Sequence, residues 1–220
     1  FGVQFEVTSY PQRAIAARLR CERPHGQVAR QWFGDGDIVA LLPLGGMAGN
    51  SVALVWSVQE ARADELLRIP PEEFQARLQA ACHDALGRMT LTTDRMAWPL
   101  QRAQADRWCG PGWVLAGDAA HNVHPLAGQG LNLGLADVAA LAGVIAAREP
   151  WRPLGDERLL RRYARARLAP TLAMGELTDV LQRLFAHPSP AAQGLRNRGL
   201  DALNQLAPVK RWLTQRALGL

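Results

Sequence analysis

The chain has 220 residues, of which 48% are apolar and 20% charged, a composition typical of a globular protein that can bury a sizeable core. It contains no uninterrupted apolar stretch of the roughly 18 residues that a membrane-spanning helix requires. Its three cysteines are widely spaced and form no CxxC pair, which argues against a disulfide framework or a structural zinc site and fits a reducing cytoplasm.

Charge is distributed unevenly along the chain. Residues 1–147 carry 12 basic and 14 acidic side chains, whereas residues 148–220 carry 13 basic and 6 acidic ones. A basic region of this kind can meet nucleic acid, an anionic membrane surface or an acidic partner. A solvated helix surface is the simpler interpretation, and we predict no nucleic-acid partner.

The first third of the chain predicts an antiparallel sheet. Apolar and β-branched runs are separated there by turn residues, and Asp35-Gly36-Asp37 is typical of a hairpin turn. The predicted strands are residues 13–20, 27–33, 38–44 and 51–58.

The middle of the chain changes to a helical period. Apolar residues recur every four positions between residues 71 and 86, so they line one face of a predicted helix. Two further strands are predicted, over 90–98, ending at Pro99, and over 113–118. Helices are predicted over 130–148 and from 156 onwards, the second with a break at 187–190. The last predicted element is an amphipathic segment over 199–218. This order predicts an α+β fold with a helical carboxy-terminal tail.

The helix predicted from residue 156 onwards has an apolar stripe that is typical of a core-facing side. The stripe is formed by Leu159, Leu160, Tyr163 and Leu168. The arginines around it predict a solvated face, and they are Arg158, Arg161, Arg162, Arg165 and Arg167.

Residues 117–134 carry the most specific pattern, Gly-Asp-Ala-Ala-His-Asn-Val-His-Pro-Leu-Ala-Gly-Gln-Gly-Leu-Asn-Leu-Gly. An acid at the end of a buried strand, here Asp118, can accept hydrogen bonds from sugar or polyol hydroxyls. Gly128 and Gly130 allow the backbone to approach a flat ligand closely. The helix that follows presents free N–H groups and a partial positive charge, which favour an anionic ligand edge.

This run resembles the second flavin motif of the aromatic hydroxylases related to p-hydroxybenzoate hydroxylase, and in detail it is closest to their ubiquinone-biosynthesis branch. In that branch Gly-Asp-Ala-Ala-His is followed by His-Pro, Ala-Gly-Gln-Gly and Asn-Leu-Gly. Shorter pieces elsewhere resemble the same branch, so the resemblance covers most of the chain. These pieces begin at Tyr10, Glu22, Ala40, Leu54, Trp98 and Thr178.

The resemblance implies FAD as the cofactor. Asp118 would hold the ribityl chain, Pro125 would lie against the isoalloxazine ring, and the amides of residues 128–131 would face the N1 and O2 edge of that ring. The implied cofactor-binding residues are Gly117, Asp118, Pro125, Ala127, Gly128, Gln129, Gly130, Leu131 and Asn132. The implied substrate-bordering residues are Leu42, Trp56 and Pro99, and no side chain is assigned a catalytic role.

The activity that the resemblance implies is monooxygenation. NAD(P)H reduces the flavin, and O2 supplies one oxygen atom to an electron-rich ring, here a prenylated phenol on the route to ubiquinone. We predict an antiparallel substrate-domain sheet over residues 1–105, the last strand and helix of a flavin-binding domain over 106–150, and helices over 151–220. We predict a cytoplasmic protein whose basic carboxy-terminal region can contact the inner membrane or a biosynthetic complex.

Three family elements are not found in these 220 residues: the strand–GxGxxG–helix unit that holds the FAD pyrophosphate, the acid that holds the adenosine ribose, and the mid-chain Asp-Gly segment. The chain also begins with Phe1 rather than Met. We therefore expect the carboxy-terminal part of a longer hydroxylase, which alone is inactive and binds FAD weakly or not at all. A truncated paralogue that serves as a binding or structural subunit, and a flavin or nicotinamide reductase, are the alternatives.

Single residues of the motif also have simpler interpretations. Asp118 could cap the turn that follows it rather than meet a ligand. His121 and His124 could be metal ligands, although no third ligand lies near them in the sequence.

Overall fold

The computed structural model describes residues 1–34, 36–123 and 129–186 of the protein, with side chains for all of them except Gln129 and residues 177–186. Helices and antiparallel strands are mixed along the chain, so the predicted α+β class is confirmed. The strands are β1 Phe5–Cys21, β2 Arg30–Gly34, β3 Asp37–Pro43, β4 Ser51–Gln59, β5 Met89–Leu91, β6 Met96–Ala105, β7 Cys109–Gly110, β8 Trp113–Val114 and β9 His121–Asn122. The helices are α1 Glu60–Arg68, α2 Pro71–Ala81, α3 Gln129–Ala146 and α4 Glu157–Ala186.

The described residues fall into two compact units. The sheet unit consists of Tyr10–Leu100, and the motif unit consists of Phe1–Ser9 with the described part of Gln101–Leu184. Strands β1 and β6 contribute residues to both units. The division into three regions predicted from the sequence, with boundaries after residues 105 and 150, stays a prediction.

The sheet unit is built on four antiparallel strands in the order β2-β3-β4-β1, and β5 pairs with the end of β1. Gly34 pairs with Asp37 across the predicted hairpin, where Gly36 has a φ of 80°. This left-handed conformation is one that glycine adopts without a steric penalty. Strands β3 and β4 start and end within one residue of their predicted bounds.

One face of this sheet forms the core of the unit. Side chains at every second position of the strands are buried against α1 and α2, as the period of two requires. Trp56 on β4 is fully buried and its ring centroid lies 5.7 Å from that of Phe74 on α2. Its indole N–H donates a hydrogen bond to Asp37 at 3.2 Å.

The predicted helix over residues 71–86 is too long. It ends at Ala81, because His83 and Asp84 adopt left-handed φ values of 49° and 57° that do not continue an α-helix. Leu86 is nevertheless buried in the same core. Helix α1, which follows β4 with no intervening turn, was not predicted.

The motif unit contains smaller strands and two long helices. Strand β6 pairs with β9, and β7 pairs with β8. A single 3-10 turn, Gly117–Ala119, lies between β8 and β9. Its buried cluster is small, and it consists of Ala105, Trp108, Ala120 and Tyr163 with partly buried residues packed around it.

Two strand predictions in this part of the chain are wrong. The strand predicted over residues 113–118 is regular only at Trp113–Val114, and the following residues are half-buried. The strand predicted over 90–98 is two strands, β5 and β6, and Pro99 lies inside β6 rather than after it. The predicted break at 187–190 and the segment 199–218 lie outside the described residues.

Within the described residues, no helix has the combination of length and apolar character that crossing a bilayer would need.

Candidate functional site

The start of the glycine-rich motif is a sharp turn that exposes one carboxylate. Ala116 is extended, with φ −145° and ψ 157°, and Gly117 then reverses to a φ of 58°. The Gly117 carbonyl accepts a hydrogen bond from the Ala120 N–H at 2.8 Å, which closes the turn. Asp118 follows Gly117 directly and is exposed, so its carboxylate is accessible to a ligand.

The turn lies against helix α3 through a contact between two glycines. A Cβ atom placed on Gly134 would lie 3.5 Å from the Cα of Gly117, and one placed on Gly117 would lie 3.9 Å from the Cα of Gly134. The two backbones therefore approach closely, and Gly117 also needs glycine for its left-handed conformation.

A buried carboxylate holds the other side of the turn. Asp137 on α3 is fully buried. Its Oδ2 accepts a hydrogen bond from the Gly117 N–H at 2.9 Å and lies 2.6 Å from the Nε2 of His121. Its Oδ1 accepts a hydrogen bond from the Nε of Arg167 on α4 at 2.7 Å. One side chain thus joins the turn, β9 and both long helices.

These contacts keep Asp137 ionised. Burial raises the pKa of its carboxyl group, but hydrogen bonds from His121, Arg167 and Gly117 outweigh that effect and hold the pKa below its ordinary value. The positive charge of Arg167 compensates the buried negative charge, as a buried carboxylate requires.

His121 contributes one ring nitrogen to this network. Its ring is stacked on Trp108, with 5.0 Å between the ring centroids, and its Nε2 faces Asp137. Among residues 1–34, 36–123 and 129–186, no three histidine, cysteine or acidic side chains cluster as metal ligands would. His124 lies outside the described residues.

The environment of Arg167 differs from the predicted one. It was grouped with the arginines of a solvated face, but its side chain is nearly buried and forms the ion pair with Asp137. Its Nη2 also donates to the carbonyl of Leu133 at 3.3 Å. The apolar stripe of the same helix is confirmed as core at Leu159, Leu160 and Tyr163. The prediction is wrong for Leu168, which is 38% exposed.

The remaining cofactor-binding residues are only partly described. Gly130 is half-buried, Leu131 is 73% exposed and Asn132 is exposed, all in the first turn of α3. Pro125, Ala127 and Gly128 lie outside the described residues, and only the backbone of Gln129 is described. The flavin roles of these residues stay predictions.

The structure separates two of the predicted substrate-bordering residues. Leu42 pairs with Ala53, whereas Trp56 pairs with Val39, so the two side chains point to opposite faces of the sheet. Trp56 lies in the core, Leu42 is 42% exposed, and Pro99 is exposed on β6. Their substrate roles stay predictions, but Leu42 and Trp56 cannot border the same ligand on one face.

The face of the sheet that carries Leu42 is lined by small and apolar residues. Cross-strand partners on antiparallel strands share a face, so three rows can be assigned. The rows are Leu42, Ala53 and Arg18, then Ala40, Val55 and Ala16, then Ile38, Ser57 and Ala14. We call this surface the small-residue face.

Sequence reasoning missed Asp137, and the chain contained a signal for it. Asp137 is the only charged residue of α3, whose other residues are mainly apolar. A lone carboxylate in such a helix must either face water or be paired in the interior. The second outcome, with an arginine 30 positions away, requires the tertiary fold.

Comparison with known proteins gives a family match over most of the chain. The model of the FAD binding domain family matches residues 4–176. Among curated relatives, ubiquinone hydroxylase UbiL of Rhodospirillum rubrum is 35% identical over 219 residues, which cover 99% of this chain and 50% of that protein. The 3-demethoxyubiquinol 3-hydroxylase of Escherichia coli is 34% identical over 220 residues, which cover all of this chain and 55% of that protein.

A solved structure agrees with these matches. The crystal structure of PqsL, a probable FAD-dependent monooxygenase of Pseudomonas aeruginosa, superposes with a TM-score of 0.68 at 26% identity and covers 82% of this chain and 50% of that one. The chain therefore spans about half the length of the relatives that it matches.

Proposed function

Because the chain belongs to the FAD binding domain family, we propose that it forms the ring-binding and substrate-facing portion of an FAD-dependent monooxygenase that hydroxylates a phenolic precursor of ubiquinone. FAD is the cofactor of the family, as the sequence predicted. The observation that carries the proposal is the exposed Asp118 carboxylate, which follows a left-handed Gly117 seated on Gly134 of α3.

The described residues fit a flavin held from one side. The Asp118 carboxylate is acceptor-only when ionised, so it suits the hydroxyl groups of a ribityl chain. Helix α3 begins at Gln129, and the partial positive charge at a helix N-terminus favours the electron-rich edge of a ring. Bound flavin supplies the redox chemistry, with NAD(P)H as reductant and O2 as oxygen donor, while the protein supplies position and electrostatics.

The small-residue face supports an aromatic or prenylated substrate. The half-buried Ala16, Ala40 and Ala53 leave a flat apolar surface on which a ring can lie, and the exposed Leu42 extends it. The third row, Ile38, Ser57 and Ala14, is buried and does not belong to that surface. Arg18 is exposed at the edge of the same face, where a phenolic oxygen could meet a positive charge. Relatives named for ubiquinone hydroxylation support this choice of substrate class.

The basic carboxy-terminal region, residues 148–220, supports contact with a membrane in which the hydrophobic substrate is dissolved. Residues 148–220 hold 13 basic and 6 acidic side chains, and anionic lipid attracts such segments. We propose a cytoplasmic protein that binds peripherally at the inner membrane.

The cofactor proposal is tested by titrating flavins into the 220-residue chain while their fluorescence is followed. Because the predicted contacts reach only the ring and the ribityl chain, we expect riboflavin and FAD to bind with similar, weak affinity. Asp118→Ala should weaken both by about ten-fold or more, since a hydrogen bond to a charged group contributes about 1.5–3 kcal/mol. Glu157→Ala removes another exposed carboxylate of the motif unit and should leave both affinities unchanged.

Two outcomes would count against this proposal. One is stoichiometric FAD retained through purification, which would contradict the expected weak binding. The other is equal flavin affinity in the parent chain and Asp118→Ala, which would remove Asp118 from the site.

The reaction is tested with the polypeptide in its natural length. NAD(P)H oxidation is measured in air with and without a prenylated phenol, and the product is analysed by mass spectrometry. Hydroxylated product formed in step with NAD(P)H oxidation supports the monooxygenase. Oxidation without product indicates a reductase instead.

A second candidate function is a binding or structural subunit of a quinone-biosynthesis complex. Leu131, Leu135 and Val138 form an exposed apolar stripe on α3, and each is more than half exposed. Contiguous exposed apolar patches mark surfaces that contact another protein or a membrane. Absence of both NAD(P)H oxidation and product in the assay above would favour this function.

A further inference from the structure

We propose that Asp137 is a positioning residue of the flavin site: its buried carboxylate fixes the Gly117–Ala119 turn against α3 and α4, and thereby sets the direction of the Asp118 side chain. This inference rests on the proposed flavin-binding function, because Asp118 is the residue that Asp137 places. Asp137 itself is buried and has no exposed surface with which to touch a ligand.

Gly117, the residue that precedes Asp118, is held by a hydrogen bond at each of its two backbone polar groups. The Gly117 N–H donates to the Oδ2 of Asp137, and the Gly117 carbonyl accepts from the Ala120 N–H. Glycine in a left-handed conformation has no Cβ atom that would restrict its rotation. The hydrogen bond to Asp137 therefore supplies the restraint that a side chain would otherwise give, and a rotation here would redirect Asp118.

Only a carboxylate satisfies all the donors around it. Three donors converge on the two oxygens, with the Gly117 N–H and the His121 Nε2–H on Oδ2 and the Arg167 Nε–H on Oδ1. An ionised carboxylate offers acceptor sites on both oxygens, whereas an amide replaces one of them with a donor. An asparagine at position 137, with the other residues unchanged, would therefore direct its own N–H donor at one of these three donors.

Arg167 stabilises the buried carboxylate of Asp137. Its guanidinium group compensates the charge of Asp137 and, through the carbonyl of Leu133, ties α4 to the buried side of α3. His121 lies flat on Trp108, so its ring orientation is fixed from a second direction. The donors are thus presented to Asp137 by elements that are themselves held in place.

The test compares two double variants that both remove the buried charge pair. Asp137→Asn with Arg167→Gln keeps an acceptor for Gly117 and His121. The side-chain oxygen of the new amide at position 137 can face these two donors, while its N–H donates to the side-chain oxygen of the amide at position 167. Asp137→Leu with Arg167→Met fills the same space but removes the acceptor. Hydrogen exchange at the Gly117 amide is measured in both, with the β3 and β4 amides as a check of folding.

We expect the Gly117 amide to exchange about ten-fold or more faster in the leucine–methionine variant than in the asparagine–glutamine variant. We expect riboflavin binding to weaken by about ten-fold in the former and to stay close to the parent in the latter. Glu149→Gln, which removes a carboxylate bound to Arg152 and Arg162 in the same unit, is the control and should change neither quantity.

Equal exchange at Gly117 in the two double variants would overturn the proposal, and so would equal riboflavin affinity. If the leucine–methionine variant does not fold, Asp137→Ala with Arg167→Met replaces it, with the same expectations. If even the parent chain binds no riboflavin, the flavin proposal fails for this chain. The exchange comparison then decides by itself whether Asp137 positions the turn.

Discussion

The sheet unit and the motif unit are stabilised in different ways. The core of the sheet unit is almost entirely apolar and extends from β1 across β3 and β4 to α1 and α2. Among the described residues of the motif unit, Ala105, Trp108, Ala120 and Tyr163 form a buried cluster, and the charged groups of Asp137 and Arg167 lie buried with His121. Apolar burial is non-directional, whereas a buried ion pair fixes the positions of its partners.

The difference matches the tasks that we assign to the two units. A substrate face needs a firm, flat support, which close packing behind the sheet provides. A flavin turn needs one carboxylate aimed in one direction, which hydrogen bonds provide better than packing does. The motif unit therefore places polar interactions at its centre, and it should be the more sensitive of the two to pH and to single polar substitutions.

The largest expected effect comes from removing the central side chain of the sheet unit. Trp56→Ala leaves a cavity and removes the hydrogen bond to Asp37, so we expect the free energy of unfolding to fall by about 3–5 kcal/mol. Trp98→Ala is the matched control, because Trp98 is 49% exposed and its loss should lower that free energy by about half as much or less. Urea unfolding followed by circular dichroism measures both.

A similar loss in the two tryptophan variants would contradict this account of the sheet unit. It would mean that the core tolerates the cavity by collapsing, or that Trp98 is packed more closely than its exposure indicates.

Acid should distinguish the two units without any substitution. Asp137, Glu149 and Asp156 of the motif unit all have a lowered pKa, and hydrogen bonds from Arg162 and Arg152 lower the pKa of Glu149 to about 2. In the sheet unit a hydrogen bond from Arg77 lowers the pKa of Glu65, but that side chain is exposed and its contribution is screened by solvent. A carboxyl group whose pKa is lower in the folded state stabilises the fold above its unfolded pKa, which is about 4. That stabilisation is lost as the pH falls through the folded pKa.

We therefore expect amide protection in the motif unit to decrease between about pH 4.5 and about pH 2, while protection in β3 and β4 changes less. Hydrogen exchange with mass spectrometry at a series of pH values measures this. The exposure of Glu149 weakens its share through solvent screening, so the effect is smaller than that of Trp56→Ala. An earlier loss of protection in β3 and β4 would reverse the comparison.

The sheet unit was the part that the sequence predicted well, and the reason is its period of two. In β3 and β4 alternate positions are buried against one core, so the pattern fixes both the strand and its inward face. Applying that period to the substrate residues would also have separated Leu42 from Trp56. Helix α1 was missed because Gln59 is followed directly by helix, with no glycine, proline or capping side chain to mark its start.

In the motif unit, sequence reasoning selected candidate cofactor-binding residues, whose roles stay predictions, but it did not find the side chains that support them. The residues around Asp118 form a specific pattern, but the apolar segment 113–118 is a strand only at Trp113–Val114. Apolar character alone does not make a strand, because its backbone groups also need hydrogen-bond partners. The pairing of Asp137 with Arg167 joins residues 30 positions apart on different helices. No local period encodes such a contact.

A smaller effect is expected from the backbone of the flavin turn. Gly117→Ala places a Cβ atom on a residue with a φ of 58°, which costs about 1–2 kcal/mol. Gly112→Ala is the matched control, since Gly112 has a φ of 77° and open space around it. Both variants should lose similar stability in thermal unfolding, and only Gly117→Ala should weaken riboflavin binding, because only Gly117 adjoins Asp118 and α3. Equal flavin affinity in the two variants would show that the turn is not part of the site.

The smallest effect that we expect concerns the link between α4 and the segment before the turn. The Tyr163 hydroxyl donates to the Leu115 carbonyl at 3.0 Å, and burial raises the pKa of this phenol, so it is a donor at neutral pH. Tyr163→Phe keeps the ring beside Trp108 and removes only the hydrogen bond, at a cost of about 1 kcal/mol. Because Leu115 lies two residues before Gly117, this variant should raise hydrogen exchange in the turn slightly while leaving β3 and β4 unchanged. A loss of protection as large as that caused by removing the acceptor at Asp137 would show that the turn is held mainly through Leu115 rather than through the buried carboxylate.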